Sequence, residues 1–176
     1  MSTLTLNLED EPVGNTHSML IVKAAAWLRA KSFPVVITDM SHCDSETPDA
    51  IGWKFRTSTV IECKSSRSDF KADAKKYFRR DSAEGMGVYR YYCVNEGLIK
   101  WEELPEKWGL LEWDGKKLRE TVKPKAHREV NHRSETSLLV SALRRVALAA
   151  PEGISVRCYK FQTRSRATLG VMEVES

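Results

Sequence analysis

The sequence has no apolar run long enough to cross a bilayer. Its longest candidate, Met19 to Leu28, is short and interrupted by Lys23, whereas a spanning helix needs roughly 20 apolar residues. It has no CxxC pair. The four cysteines, Cys43, Cys63, Cys93 and Cys158, are widely spaced, which argues against a zinc ribbon and against a small disulfide scaffold. Three of them sit in strand-like runs, where a free cysteine behaves as a small buried hydrophobe. Cys43 has His42 and Asp44 beside it, but adjacent residues chelate one ion poorly. The opening MSTLTLNLEDEP carries acids where a secretory leader carries positive charge. Internal repeats and low-complexity tracts are also missing. The expectation is a cytoplasmic protein with no membrane partner and no small-molecule cofactor.

What is present suits a globular domain. The 176 residues are 41% hydrophobic and 30% charged, ordinary values that allow one domain with a sizeable core. The net charge of +4 is mild, and its distribution says more than its size. Lys64, Arg67, Lys71, Lys75, Lys76, Arg79 and Arg80 face only Asp69 and Asp73 as local acids, and a second basic stretch runs from Lys116 to Arg133. Such clusters suit a polyanion, although solvated helix faces look much the same. His127 and His132 lie in the second stretch without evident co-ligands for zinc, which leaves phosphate contact or plain exposure. The tryptophans Trp53, Trp101, Trp108 and Trp113 are read as core before they are read as base-stacking platforms.

Periodicity divides the chain into elements. A loose arm to about residue 15 precedes a helix from Thr16 to Lys31, in which Leu20, Ala24, Trp27 and Leu28 recur at helical spacing. Pro34 stops it. Strands are predicted at 35–38, 48–53 and 56–64, the first two separated by a polar loop from Asp39 to Thr47. A helix from Ser68 to Arg80 follows, opened by Ser66 and Asp69 at capping-box spacing. On that helix Lys71, Lys75 and Arg79 lie four apart and share a face. Further strands are expected at 89–94, 110–113 and 117–122, the last two around an Asp114-Gly115 turn. A helix at 135–149 and a strand at 154–162 complete the chain. The layout is α/β with a mixed sheet. Residues 1–125 form the core with its N-terminal arm, and 126–176 are a helix-strand extension packed on the same domain.

Alternation along 56–64 puts Glu62 and Lys64 on one side of their strand, and Ile61 and Cys63 on the other. A simple ion pair is the plain explanation. The second explanation adds Asp49 from the preceding strand. A turn at Lys54-Phe55 pairs Asp49 with Val60, and a bulge or longer turn shifts it onto Glu62. Two neighbouring carboxylates repel unless a cation neutralises them. Oxygen-only ligation suits Mg²⁺ or Mn²⁺ better than zinc. A lysine beside them can orient a water near a phosphate, which completes the parts for metal-assisted phosphodiester hydrolysis.

Pro48-Asp49 followed by Glu62-Cys63-Lys64 resembles the PD-(D/E)XK signature of restriction-endonuclease-like nucleases. The chain has one Pro-Asp and one Glu-x-Lys, in that order. The run from Ile61 to Lys75 is similar to that of MmcB-like DNA-repair proteins and related phage or prophage nuclease-fold proteins, with the pattern E-x-K-S-S-x-x-D-F-x-x-D-x-K. Tyr91 to Val94, Gly97 to Ile99 and Trp108 to Leu111 look like the same group, so the likeness extends over about residues 17–125. It implies a restriction-endonuclease-like core (α-β-β-β-α-β) with Asp49 and Glu62 as metal ligands, the Cys63 carbonyl as a further ligand, and Lys64 positioning or activating the water. Many relatives also place an acid or histidine on the first helix; His17 is the one candidate here.

The reading is a Mg²⁺- or Mn²⁺-dependent DNA endonuclease acting on duplex or branched DNA. Ser66, Arg67, Lys71, Lys75 and Arg79 are its candidate nucleic-acid contacts. The alternative is an inactive nuclease-fold accessory factor that binds nucleic acid or protein. A third reading is a junction-resolving repair factor working as a homodimer.

Overall fold

A computed structural model describes residues 16–40 and 46–147. The expected arm before residue 16, the strand at 154–162, and Cys43 and Cys158 fall outside them.

Helix α1 (Thr16–Ala30) carries Leu20, Ile21, Ala24, Ala25 and Leu28 on one buried face, the spacing that a helix needs to bury one stripe. It lies across a six-stranded sheet whose order is sequential: β1 (Val35–Thr38), β2 (Ala50–Lys54), β3 (Thr57–Lys64), β4 (Tyr89–Asn95), β5 (Gly109–Trp113) and β6 (Leu118–Val122). The first three strands pair antiparallel, β3, β4 and β5 pair parallel, and β6 returns antiparallel. The fold is therefore α/β, a mixed six-stranded sheet flanked by helices. Parallel neighbours need crossover connections. The β3–β4 crossover holds two short helices, α2 (Arg67–Asp73) and α3 (Tyr77–Arg80).

Strand alternation sorts the core. Ile61 and Cys63 of β3, with Tyr91 and Cys93 of β4, pack under α1 together with Val36, Ala50 and Leu111. The opposite face is divided. One apolar cluster joins Ile37, Ile51 and Val60 to Met86 and to Leu138 and Ala142 of α4 (His132–Ala147). Another joins Phe70 of α2 to Tyr92, Val94, Trp108 and Leu110. Glu62 and Lys64, which share this face with Val60, belong to neither cluster. Helix α4 is tied down by a polar bridge as well: Ser58 Oγ donates to Glu135 Oε1 at 2.6 Å, and the Gly87 amide reaches the same oxygen at 2.9 Å.

Two local expectations are corrected. The β2–β3 turn is Phe55-Arg56, one residue later than expected, because Lys54 pairs with Thr57 and Ala50 with Ile61. Phe55 takes the left-handed conformation that such a turn requires, with φ 53° and its ring almost fully exposed. Continued by one residue, this register sets Asp49 against Glu62 and not Val60. The helix expected over 68–80 is broken. Lys76 is extended at φ −63°, ψ 139°, so Arg79 leaves the face it was expected to share with Lys71 and Lys75.

Candidate active site

The site is built at the C-terminal end of β3, a central strand, and at the start of β2. Lys64 Nζ lies 3.1 Å from Glu62 Oε2, 3.6 Å from Asp73 Oδ1 and 3.9 Å from Asp49 Oδ2. The three residues singled out from the sequence, Asp49, Glu62 and Lys64, therefore come together around one ammonium. Asp49 is fixed by the strand beside it, its Oδ2 accepting from the Cys63 amide at 2.7 Å. Because N–H and C=O of a strand residue leave on the same side, the Cys63 carbonyl shares the Asp49 edge. Asp49 Oδ1 faces His17 Nε2 of α1 at 3.4 Å.

A second cation sits behind the first. Arg79 is buried and spreads over three carboxylates: Nη2 is 2.8 Å from Glu62 Oε1, Nε donates to Asp73 Oδ2 at 2.8 Å, and Nη1 pairs with Glu46 Oε1. The assignment of Arg79 as a surface nucleic-acid contact is thus corrected. The break before α3 turns it inward, where burying a guanidinium demands carboxylate partners. Asp73 also accepts from the Tyr92 hydroxyl at 2.8 Å, and its Oδ1 lies 2.7 Å from Lys76 Nζ. Glu46 takes the Met86 amide at 2.5 Å. Glu62 Oε1, close to Arg79 as it is, has no hydrogen bond of acceptable geometry and is buried.

The electrostatics are uneven. Four carboxylates, from Glu46, Asp49, Glu62 and Asp73, face three cations, from Lys64, Lys76 and Arg79. Asp73 titrates well below the usual carboxylate range: burial opposes this, but Arg79 and Lys64 outweigh it. Asp49 goes the other way. Burial, with Glu62 adding repulsion, pushes it up to about 6 despite Lys64. Burial also raises Glu46, against the pull of Arg79. The Lys64 ammonium is held charged by Glu62, Asp73 and Asp49, which together overcome its burial. The least compensated side of the cluster around Lys64 is therefore that of Asp49. That is also the open side, since Asp49 and His17 side chains are 18% and 31% exposed while Glu62 is 3%.

The remaining candidate contacts separate. Lys71 and Lys75 are exposed. Ser66 caps α2, accepting from the Asp69 amide at 3.2 Å. Arg67 is exposed but engaged, with Nη1 donating to Leu98 O at 2.9 Å and a two-pronged pair to Glu103. Sequence reasoning gave no role to Glu46, in what read only as a polar loop, or to Asp73, and it assigned Arg79 to the wrong surface. Asp73 had a signal, being the second aspartate of the run from Glu62 to Lys75.

Two carboxylates and a carbonyl edge offer a small hard cation oxygen ligands only, the chemistry Mg²⁺ takes up with water completing its shell. Asp49, partly exposed and the least compensated carboxylate beside Lys64, fits such an ion, which would share Glu62 with Lys64 and Arg79. Among the described residues, no three or more His, Cys, Asp or Glu side chains are grouped to hold a metal by themselves. A bound ion would therefore draw the rest of its shell from water, backbone or phosphate. Again among the described residues, no helix is long and apolar enough to cross a membrane.

No protein-family model matches the chain, and no curated protein matches it. A solved structure does: the SPO1766 protein of unknown function from Silicibacter pomeroyi is 26% identical, over 83% of this chain and 97% of that one, with a TM-score of 0.55.

Proposed function

We propose that the chain is a divalent-cation-dependent DNA endonuclease with a restriction-endonuclease-like core. The observation that carries the proposal is the convergence of Asp49, Glu62 and Lys64 at one end of β3. Asp49 and Glu62 would hold Mg²⁺ or Mn²⁺, with the Cys63 carbonyl on the same edge. When bound, the ion supplies charge neutralisation at the scissile phosphate and a more acidic water. Lys64, held charged by Glu62, Asp73 and Asp49, would orient the water and stabilise the developing charge through its N–H donors. Asp73 and Arg79 act on these groups only by positioning Lys64 and Glu62. Lys71 and Lys75, both exposed, would meet the phosphate backbone.

The test is cleavage of supercoiled plasmid with Mg²⁺ or Mn²⁺. EDTA should stop it, and Asp49→Asn, Glu62→Gln and Lys64→Met should each reduce it at least about a hundredfold. Full cleavage by all three variants would end the assignment.

One observation favours a second reading, a DNA-binding factor without turnover. Both Glu62 oxygens already face protein cations, Lys64 and Arg79, so that the carboxylate most central to a metal site is neutralised without one. Calorimetry with Mn²⁺ separates the two: DNA affinity with no Mn²⁺ binding supports the second.

A further inference from the structure

A cavity of about 280 Å³ lies on the far side of Arg79, which forms part of its wall, between α3, β4 and the segment leading into β5. Its lining is dominated by bases: Arg80, Arg90, Lys107 and His127, with Glu106 as the acid among the lining residues. Two of these groups are in unusual states. Arg90 is 1% exposed, yet its guanidinium is held only by backbone carbonyls, with Nε donating to Gly87 O at 3.0 Å and Nη2 to Ser82 O and Gly85 O at 2.8 and 2.7 Å. Among the described residues it has no carboxylate in ion-pair range, in contrast to Arg79. Neutral carbonyls take its Nε and Nη2 hydrogens and leave its charge uncompensated in a poorly solvated place.

His127 is 7% exposed, and both ring nitrogens are buried without a hydrogen-bond partner among the described residues. Its backbone is fixed, the amide donating to Val88 O at 2.9 Å. Buried polar atoms are seldom left unpaired, and each such case asks for a ligand or a reason. Burial, reinforced by the charges of Arg90 and Lys107, pushes the imidazole down to about 4. Burial likewise lowers Arg90 to about 10, with Arg79 adding to it and the more distant Glu46 and Glu135 opposing it. Among the described residues neither group has a carboxylate in ion-pair range, Glu106 included.

We propose that this cavity is a phosphate-binding pocket, in which His127 and Arg90 receive a tetrahedral oxyanion and Lys107 and Arg80 guard its mouth. The ligand chemistry is a phosphate group, either free or at the phosphorylated end of a polynucleotide. The proposal does not depend on metal or on cleavage: the pocket shares the Arg79 side chain with the candidate active site but none of its carboxylates.

The test follows the His127 ring by long-range ¹H–¹⁵N NMR in the full chain with EDTA present. Addition of inorganic phosphate should raise the His127 titration by about one unit or more, as an adjacent opposite charge does, and should leave His132 unmoved. A 5′-phosphorylated oligonucleotide and its 5′-hydroxyl counterpart form the other arms. A stronger effect of the phosphorylated strand identifies a polynucleotide end as the source; an effect of inorganic phosphate alone identifies the free anion. Arg80→Gln with Lys107→Asn keeps buried groups intact and suits the left-handed backbone at Lys107, φ 68°. This double variant should weaken phosphate binding at least tenfold with an unchanged thermal midpoint. A His127 titration unaffected by all three ligands, or undiminished binding in the double variant, overturns the proposal.

Discussion

Replacing Asp49 by Asn should make the protein more stable at neutral pH, and the gain should vanish in acid. In the folded chain the Asp49 carboxyl is raised from 3.8 to about 6, by burial first and by Glu62 second. Folding therefore binds a proton between these values, and ionised Asp49 destabilises the native state. That penalty is absent below about pH 4, grows through the interval, and is complete above about pH 6. Two units correspond to about 3 kcal/mol. The Asn variant loses attraction to His17 and Lys64 but keeps an acceptor for the Cys63 amide, so a net gain of about 1–2 kcal/mol is expected. For a chain of this size that is a rise of about 2–8 °C in thermal midpoint. Urea unfolding of both proteins at pH 4 and pH 7.5, in EDTA, measures it. A variant less stable than the parent at pH 7.5, or equally stabilised at both pH values, refutes the reasoning. Added Mg²⁺ supplies an internal control. If Asp49 is a ligand, the parent gains stability from the ion at neutral pH and the variant does not.

Other consequences concern the cations. Arg79→Leu leaves Glu46, Glu62 and Asp73 without their shared partner and should lower stability by about 3–5 kcal/mol, read from urea midpoints; a change under about 1 kcal/mol would show that the cluster is not held by this residue. On the nuclease reading, Lys71→Ala and Lys75→Ala should each flatten the salt dependence of DNA affinity by about one unit of log–log slope. Their stability should stay within about 0.5 kcal/mol of the parent, and unchanged slopes would place DNA elsewhere.

The elements that could be read from the sequence are those governed by local pattern. The apolar stripe of α1, the β-branched run of β3 and the Ser66 cap depend on neighbours within a few positions, and they lie where periodicity put them. The alternation of Ile61 and Cys63 against Glu62 and Lys64 was enough to assign faces. What local pattern could not reach was set by long-range partners. Nothing near Tyr77 announces a helix break; it arises because Asp73 and Arg79 satisfy each other while Arg79 reaches Glu62 and Asp73 reaches Lys64, both on β3. The one-residue displacement of the β2–β3 turn has the same character. Phe55 carries no glycine-like signature, and its positive φ is tolerated because the flanking strands fix the register that Ala50 and Ile61 require.

The cluster is best understood as two unequal halves. Its buried half, Arg79 with Glu46, Asp73 and Glu62, is closed by three ion contacts from one guanidinium and by the Tyr92 hydroxyl. A network of this kind adds little net stability, because the Coulomb attraction roughly repays desolvation. It does fix geometry, holding Glu62 and Lys64 at one end of β3 with no freedom to diverge. Its open half, Asp49 with His17, has the opposite property: it is partly solvated, under-neutralised and energetically unfavourable as it stands. A chain selected for stability alone would remove the Asp49 charge, since Asn fills the same space and still accepts from Cys63. The retention of an ionisable, raised carboxylate beside a rigidly held ammonium is therefore easier to explain by what can bind there than by what it contributes to folding.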